Sequence, residues 1–360
     1  MSQNHKILII GQGLAGTVLA HQLLRKNFSV TVLDKGHKGI STSLAAGVIN
    51  PVTGRRIVKS WLIDDLLPVA KRYYQEVGAE LGISLWYELP ALRLFTDTAM
   101  SNNWGIRMQN EGYGQYLDYV NHADMSPFPV KTNFGAGVIR HSARANISLM
   151  ITRFREKWRE EGRLIEAAFR QEDLAHGQAH LLYQGESYDK IIFCEGWEAM
   201  KNPFFVDLPF QVTKGEVLIL RIPEMPQKNI IKKKVALVPL GQELFWAGAT
   251  NYWKFEDVKP TQEGKSWLKT ELESILDIPY EVVDHLAAIR PTVRHRRPIM
   301  GFPSYLEANN VHAQIGLFNG FGTKGTSLVP FWAGKFISAM LGDAPLDKEV
   351  DVNGLKHLNP

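Results

Sequence analysis

Three glycines and an aspartate near the N-terminus have the spacing of a dinucleotide-binding turn. Gly11, Gly13 and Gly16 form a G-x-G-x-x-G pattern directly after the apolar run KILII. In such a turn the first glycine permits a tight bend, the second lets the backbone approach a pyrophosphate, and the third lets the next helix pack closely. Asp34 follows about 20 residues later, where a carboxylate can accept hydrogen bonds from ribose hydroxyls. This order favours a dinucleotide site over a plain connecting turn, without distinguishing FAD from NAD.

Flanking residues of the same turn are expected to contact the nucleotide. Leu14 and Ala15 lie in the first turn of the predicted helix, whose free amide groups and positive dipole end attract an anion. Lys35 would suit a ribose 2′-phosphate, which Asp34 would repel. Hydroxylated and small residues come next in the chain, namely Ser41, Thr42, Ser43, Ala45, Ala46 and Gly47. An ordinary Ser/Gly loop is the alternative interpretation of that run.

Two regions near the C-terminus could bind negative charge. Arg290 carries a planar guanidinium that matches both oxygens of a carboxylate, although a structural ion pair is an alternative. A glycine-rich turn precedes the last apolar helical pattern and consists of Gly322, Thr323, Lys324, Gly325 and Thr326. Its amides, ammonium and helix N-terminus would stabilise an anion. A helix cap with an exposed lysine is the alternative.

The apolar periodicity predicts the elements that hold these residues. A strand over 6–10, a helix over 14–26 and a strand over 30–33 form a βαβ opening. A helix over 147–161 and strands over 164–169, 180–183 and 191–194 follow, and the last helix covers 326–341. Aromatic residues and short strand-like pieces such as EVLILRI and LFWAGAT fill the segments between.

We therefore predict an α/β fold with two lobes. A Rossmann-type cofactor lobe is assigned to residues 1–82, 140–204 and 288–360. A second α+β lobe, built on a mixed or antiparallel sheet, is assigned to residues 83–139 and 205–287. Trp246 and Tyr252 are expected to line the substrate side of the second lobe, although buried core residues would give the same pattern.

Composition excludes several classes of site. The 360 residues contain one cysteine, Cys194, so an internal disulfide and a multi-thiolate metal site are both excluded, and no metal site is predicted. No run is apolar enough to span a membrane, and the N-terminus lacks a secretory signal pattern, so we expect a cytoplasmic protein. The net charge of +4 is modest and dispersed, which does not favour nucleic-acid binding. The run Lys232–Lys234 is typical of a solvated turn.

In their order along the chain, these motifs resemble those of the D-amino acid oxidase superfamily, which includes glycine oxidase and sarcosine oxidase. The Ser41–Gly47 run is similar to the family's second FAD signature, and YDKIIFCEGW to its apolar strand closing in a glycine, here Gly196 beside Trp197. Phe169 stands where the family places an apolar residue near the adenine. AAIRPTVRHRRPIMG and NGFGTKG resemble the family's last two motifs.

The resemblance implies a non-covalently bound FAD and a hydride transfer. Such an enzyme moves a hydride from the C–N bond of a small amine or amino acid to flavin N5, and the imine then hydrolyses. Arg290 would pair with the substrate carboxylate, and the turn with Lys324 would lie beside the flavin pyrimidine. The electron acceptor is left open between oxygen and a carrier.

Some positions depart from this family pattern and leave alternatives open. The residues Phe321, Gly322, Thr323 and Lys324 occupy the places of the His-Phe-Arg-Asn series of glycine oxidase. A second carboxylate-binding arginine is therefore missing, which disfavours a glycine-like substrate. His295 stands where relatives carry aspartate. The last two motifs also resemble the oxidase half of the bifunctional enzymes that mature tRNA wobble uridine, which implies a carboxymethylaminomethyl substrate. Two further hypotheses remain open, namely an NAD(P)-dependent dehydrogenase and a non-catalytic FAD-binding protein.

Overall fold

The computed structural model describes residues 5–36, 41–120, 125–176, 180–308 and 314–357, which divide into two compact units. The first unit contains Met1–Ser43, Ile147–Thr213 and Ile289–Pro360. The second contains Leu44–Asn146 and Lys214–Ala288. Among the described helices, none combines the length and apolarity needed to cross a bilayer.

The helices of the described chain are α1 (Leu14–Leu24), α2 (Ser41–Leu44), α3 (Ile63–Leu81), α4 (Thr98–Met108), α5 (Ile147–Glu160), α6 (Gln262–Glu273), α7 (Ser304–Ala308) and α8 (Gly325–Met340). Strands up to residue 145 are β1 (Lys6–Ile10), β2 (Ser29–Leu33), β3 (Val48–Ile49), β4 (Val52–Thr53), β5 (Val58–Lys59), β6 (Trp86–Glu88), β7 (Ala91–Leu94), β8 (Leu117–Tyr119), β9 (Ala136–Ile139) and β10 (Ala143–Ala145). Later strands are β11 (Leu164–Ile165), β12 (Leu174–His176), β13 (Leu181–Tyr183), β14 (Glu186–Tyr188), β15 (Lys190–Phe193), β16 (Thr213–Arg221), β17 (Ile230–Lys232), β18 (Ala236–Gly241), β19 (Leu244–Gly248), β20 (Glu281–Arg290), β21 (Ile299–Gly301) and β22 (Ile315–Asn319).

The first unit is built on a six-stranded sheet in the order β11-β2-β1-β15-β22-β21. The pairs from β11 to β22 are parallel, and β21 is antiparallel to β22. Strand β1 is central and its residues Leu8 and Ile9 are fully buried, as expected for a continuous apolar run covered on both faces. Helices α1 and α8 pack against each other. The predicted Rossmann-type lobe is confirmed.

An eight-stranded sheet in the order β20-β16-β19-β18-β17-β7-β9-β8 forms the second unit. The pair β17 and β7 is parallel, while the other pairs with resolved register are antiparallel, so the sheet is mixed. One face is apolar and packs into a core with Leu268 and Leu272 of α6. Because strand side chains alternate between faces, the residues between these core positions share the opposite face. The predicted α+β lobe is confirmed.

The unit boundaries differ from the predicted ones at three segments and at residue 288, which belongs to the second unit. Residues 44–82 and 140–146 lie in the second unit, because β3 pairs with β10 and β10 pairs with β6. Residues 205–213 lie in the first unit, where Phe210 pairs with Val293. The predicted strand over 164–169 ends at Ile165, and Phe169 lies beyond it. These pairings join distant parts of the chain, which local periodicity does not report.

Candidate functional site

The three glycines of the first turn differ in what a side chain at each position would contact. Gly11 has φ +99°, and a Cβ there would lie 2.7 Å from the carbonyl oxygen of Cys194. A Cβ on Gly16 would lie 1.9 Å from the carbonyl oxygen of Gly11. Gly13 differs, because its added Cβ would meet only the Thr42 hydroxyl at 3.4 Å. Gly11 and Gly16 are therefore required by the backbone, whereas Gly13 leaves space in front of helix α1.

Helix α8 begins beside the start of helix α1. A Cβ on Gly325 would lie 3.3 Å from a methyl of Leu14, and the Gln22 side-chain amide donates to the Pro330 carbonyl oxygen at 2.9 Å. Thr42 Oγ1 accepts a hydrogen bond of 3.2 Å from the Leu14 amide. Two positive helix ends thus lie together, an arrangement that favours a negatively charged ligand.

Asp34 lies in a polar network that includes a residue the sequence did not single out. Its Oδ2 accepts from the Gln12 amide at 2.8 Å and its Oδ1 from the Gly36 amide at 2.8 Å. Arg155 of α5 donates to Asp34 Oδ1 at 2.8 Å and to Gln12 Oε1 at 2.7 Å. Arg155 lies on an amphipathic helix like many surface arginines, so no sequence signal marked it.

Gln12 supplies a test of whether this region fits FAD. Its side chain is buried, and Nε2 has no hydrogen-bond partner among the described residues. A buried donor without a protein partner is unfavourable and is relieved by a ligand acceptor. A ligand oxygen beside Gln12 and Asp34, together with the open space at Gly13, matches the ribose and pyrophosphate of FAD. The residues present therefore fit that cofactor.

The other residues that were predicted to contact the cofactor near this turn interact with neighbouring protein groups. Lys35 Nζ donates to Glu198 Oε1 at 2.8 Å, and Phe169 stacks on Tyr183 with ring centroids 5.1 Å apart. Gly196 has φ +62° and accepts a hydrogen bond from Asn319 at 2.8 Å. Trp197 lies under the Lys201 ammonium, 4.8 Å from its ring centre. Their assignment to the cofactor stays a prediction.

The run from Ser41 to Gly47 is shaped by the strands around it. Residues 41–44 form one helical turn, Ser43 and Ala45 are exposed, and Ala46 is buried. Gly47 has φ +71°, and its added Cβ would lie 1.9 Å from the Ala145 carbonyl oxygen. Close approach of β10 thus explains Gly47 without a planar ring.

Arg290 lies next to the C-terminal glycine turn. It ends β20, and its carbonyl oxygen accepts from the Thr292 amide at 2.8 Å. A Cβ on Gly322 would lie 3.4 Å from the Thr292 methyl, and the Gly322 amide donates to the Pro291 carbonyl oxygen at 3.2 Å. The structure therefore brings the predicted carboxylate-binding arginine to the turn that starts α8.

Positive charge is concentrated at this turn. Burial lowers the pKa of Arg290, and burial together with Arg297 and Arg296 lowers the pKa of Lys324. A cation that is costly to bury gains from a bound anion. In the same turn Thr323 is exposed, whereas Thr326 is buried.

The basic stretch 294–297, which precedes the turn, contains both exposed side chains and one that forms an ion pair. Arg294 and Arg296 are exposed, whereas Arg297 Nε forms an ion pair with Glu349 Oε2 at 2.7 Å. Burial and Arg297 lower the pKa of His295. No described group of three or more His, Cys, Asp or Glu side chains could hold a metal ion.

Trp246 and Tyr252 both belong to the second unit. Trp246 Nε1 donates to the Leu44 carbonyl oxygen at 2.8 Å and so fixes the end of α2 against β19. Tyr252 exchanges two backbone hydrogen bonds of 2.9 Å with Lys214. Burial and the nearby Glu216 raise the pKa of the Tyr252 phenol. Both side chains are partly exposed, and their role toward a substrate stays a prediction.

Comparison with solved structures shows the same fold in two oxidases and a dehydrogenase. The glycine oxidase of Geobacillus kaustophilus aligns with a TM-score of 0.76 at 17% identity, covering 94% of this chain and 95% of the other. The iminodiacetate oxidase of Chelativorans sp. gives 0.77 at 20% identity, with 98% of each chain covered. The L-proline dehydrogenase of P. horikoshii gives 0.77 at 16% identity, with 100% of each chain covered.

A family model adds evidence that is independent of structural similarity. The model of the DAO family, described as FAD dependent oxidoreductase, matches residues 6–340. That match confirms the resemblance inferred from the motifs, and with it FAD as the cofactor and catalysis as the activity. The chain therefore belongs to the DAO family of FAD-dependent oxidoreductases.

Proposed function

We propose that this enzyme oxidises the C–N bond of a small amine or amino acid that carries a carboxylate. The position of Arg290 carries the proposal, because this partly buried arginine directly precedes Pro291 and Thr292, which contact the turn that begins α8. The named activities of the structural neighbours, which include glycine oxidase, iminodiacetate oxidase and L-proline dehydrogenase, support this substrate class.

The protein residues would position and polarise the substrate. FAD, when bound, supplies the acceptor for the hydride that leaves the substrate carbon. Arg290 would hold the carboxylate by two parallel hydrogen bonds and so orient that carbon. Lys324 and the backbone amides of the turn that begins α8 would stabilise negative charge that develops next to this turn. Trp246 and Tyr252 would line the substrate side.

Residues of the first unit would hold the cofactor without a covalent bond. Cys194, the single cysteine, is buried, and its carbonyl oxygen packs against Gly11. Burial raises the pKa of its thiol, which disfavours the reactive thiolate. A lone free cysteine also suits a reducing compartment, so we assign the enzyme to the cytoplasm. Oxygen or a carrier would serve as the electron acceptor.

The test is substrate specificity in an Arg290→Lys variant of the flavin-loaded enzyme. Lysine keeps the charge but loses the planar fork, so we expect KM for carboxylate-bearing amines to rise about 10–100-fold, with a smaller change in kcat. Amines without a carboxylate should be oxidised equally by both proteins. Arg294→Lys, an exposed arginine four residues later, is the control and should behave as wild type. Unchanged KM in Arg290→Lys would reject the assignment.

A tRNA wobble uridine is a second candidate substrate. The exposed cations Arg294 and Arg296 lie close in sequence to Arg290, and such charges could meet a phosphate backbone. This substrate predicts a carboxymethylaminomethyl intermediate in tRNA from a strain that lacks the enzyme. Nucleoside analysis by mass spectrometry measures it directly, and an unchanged profile excludes this candidate.

A further inference from the structure

Two cations lie side by side on the sheet of the second unit. Lys232 of β17 is the direct register partner of Arg93 of β7 in a parallel pair. Directly opposite residues on neighbouring strands share one face, and like charges at such positions repel each other. Arg55, in the loop between β4 and β5, adds a third positive charge that acts on Arg93. The sequence favoured a solvated turn for Lys232, whereas the structure places it in a strand.

This pair lies on the face of the sheet opposite the apolar core. Ile231 and Leu92, the neighbours in sequence, are buried in the core cluster with α6. Alternation along the strands therefore directs Lys232 and Arg93 to the other face. Partial burial lowers the pKa of Arg93 and lowers that of Lys232 to about 8, so both cations lack part of their hydration.

The two cations belong to a row of residues that runs across the strands, and a tryptophan lies near each end of this row. Strand register aligns Gly248, Ala236, Lys232, Arg93 and Gly137 across five strands. At one end, a Cβ on Gly137 would lie 2.2 Å from Trp104, so that indole covers the glycine. At the other end, a Cβ on Gly248 would lie 3.0 Å from Trp246. Trp104 also lines a small cavity together with Arg93 and Lys232.

No described carboxylate neutralises the pair. Arg93 Nη1 donates to the Lys233 carbonyl oxygen at 2.7 Å, and Lys232 Nζ donates to the Lys234 carbonyl oxygen at 3.2 Å. Neither side chain forms an ion pair with any acidic residue in the described ranges. Two adjacent, partly desolvated cations without a counter-ion are unfavourable by themselves. The neighbouring Lys234 differs, because it pairs with Glu271 at 2.8 Å.

A small cavity opens onto both cations. Its volume is about 50 Å³, which holds a few water-sized groups. Residues of the segment 50–57, which includes β4, line it together with Trp104 and Ile139. Asn50 and Thr53 add neutral polar side chains to a lining that contains no carboxylate. The space is comparable with a carboxylate or a tetrahedral oxyanion.

We propose that Arg93 and Lys232 form a binding site for an oxyanion, either a carboxylate or a phosphate-type group. The guanidinium supplies paired donors and the ammonium a point charge, and an anion between them replaces repulsion by attraction. This site lies in the second unit and consists of other residues than the arginine assigned to the substrate carboxylate, so it goes beyond the proposed function. The anion belongs either to the substrate or to a separate small molecule.

Sulfate binding to the flavin-loaded enzyme tests the proposal. Melting temperature and calorimetric titration would be measured with sodium sulfate, sodium phosphate and sodium acetate against sodium chloride of equal ionic strength. We expect saturable binding to wild type and at least a tenfold loss of affinity in Lys232→Gln and in Arg93→Gln. Lys234→Gln is the matched control and should bind as wild type. Lys232→Arg, which keeps the charge, should retain binding.

The anion-free melting temperature provides a second readout that does not depend on any ligand. Removing one of two repelling charges should raise it in Lys232→Gln, whereas a purely structural lysine would lower it on substitution. Competitive inhibition by sulfate that weakens in Lys232→Gln and in Arg93→Gln would assign the anion to the substrate, and binding at this pair without such competition would assign it to a separate molecule. Equal affinity of wild type and both glutamine variants would overturn the site, as would the absence of binding by all three anions. The loss of affinity in the two glutamine variants and the anion-free melting temperature do not depend on the role of Arg290.

Discussion

Glu195, near the cofactor turn, has a carboxyl group whose pKa is shifted by its surroundings in the folded protein. It follows β15 and is partly buried, and burial, opposed by a 2.8 Å hydrogen bond from Asn202, raises the pKa of its carboxyl to about 7. Glu198 raises it further, and Lys35 lowers it. The folded protein therefore favours the protonated acid, in contrast to Glu166, whose pKa Arg159 and Arg155 lower to about 2.

This shift determines the sign of a pH effect on stability. Between about pH 4.5 and 7 the folded state binds more protons than the unfolded chain, so the free energy of unfolding falls as the pH rises through that window. Above pH 7 the whole cost is present. We expect Glu195→Gln to remove a pH-dependent loss of roughly 1–3 kcal/mol. Urea unfolding of the flavin-loaded enzyme at pH 5 and pH 8 measures it.

The control for this experiment is Glu172→Gln, an exposed glutamate of the same unit. It should retain the wild-type dependence on pH. Parallel curves for wild type and Glu195→Gln would show that Glu195 ionises in the folded protein as it does in the unfolded chain.

At the scale of elements, a buried carboxylate fixes helix α6 against strand β16. Glu216 is fully buried, and its oxygens accept from the Thr261 amide and hydroxyl, both at 2.9 Å. His285 Nε2 lies 3.0 Å away and Lys214 Nζ 3.4 Å away. Thr261 also caps the helix by accepting from the Gly264 amide at 3.0 Å. The helix start is thus tied to the sheet through polar contacts.

Gly264→Ala tests this connection. A Cβ there would lie 2.1 Å from Glu216 Oε2, so the carboxylate network must shift. Although alanine favours a helix by about 1 kcal/mol, we expect a net destabilisation of about 2–4 kcal/mol from the clash and the disturbed buried charge. Gly334→Ala in α8 is the matched control, because its nearest contact would be 3.6 Å, and it should be neutral or stabilising. Equal unfolding midpoints of both variants would contradict the expected clash.

For the whole molecule, FAD binding should contribute to stability by mass action. A ligand present at 100 times its Kd stabilises the folded state by about 2.7 kcal/mol. Because an added Cβ at Gly13 meets only Thr42 Oγ1 at 3.4 Å, Gly13→Ala should leave the apoprotein melting temperature unchanged. It should, however, weaken the response to added FAD, because the methyl group occupies the space in front of α1. Thermal melts across an FAD series measure both quantities.

Gly16→Ala provides the contrast in the same experiment. Its Cβ would lie 1.9 Å from the Gly11 carbonyl oxygen, so the apoprotein itself should melt at a lower temperature. If Gly13→Ala responds to FAD as wild type does, the pyrophosphate does not lie at this turn.

The sequence determined the features of this protein that depend on short stretches of chain. The G-x-G-x-x-G turn, the opening βαβ unit and the final helix were predicted to within a few residues, because spacing and periodicity are local properties. The same motifs, taken in order, identified the family and its cofactor.

Tertiary structure alone decided what depends on long-range pairing. Arg155 joins Asp34 because α5 packs on the first sheet, and Lys232 meets Arg93 because β17 pairs with β7. The membership of residues 44–82 in the second unit follows equally from strand pairing. Each partner of such a pair is ordinary in its own segment, and only the packing of a complete sheet determines which strands become neighbours.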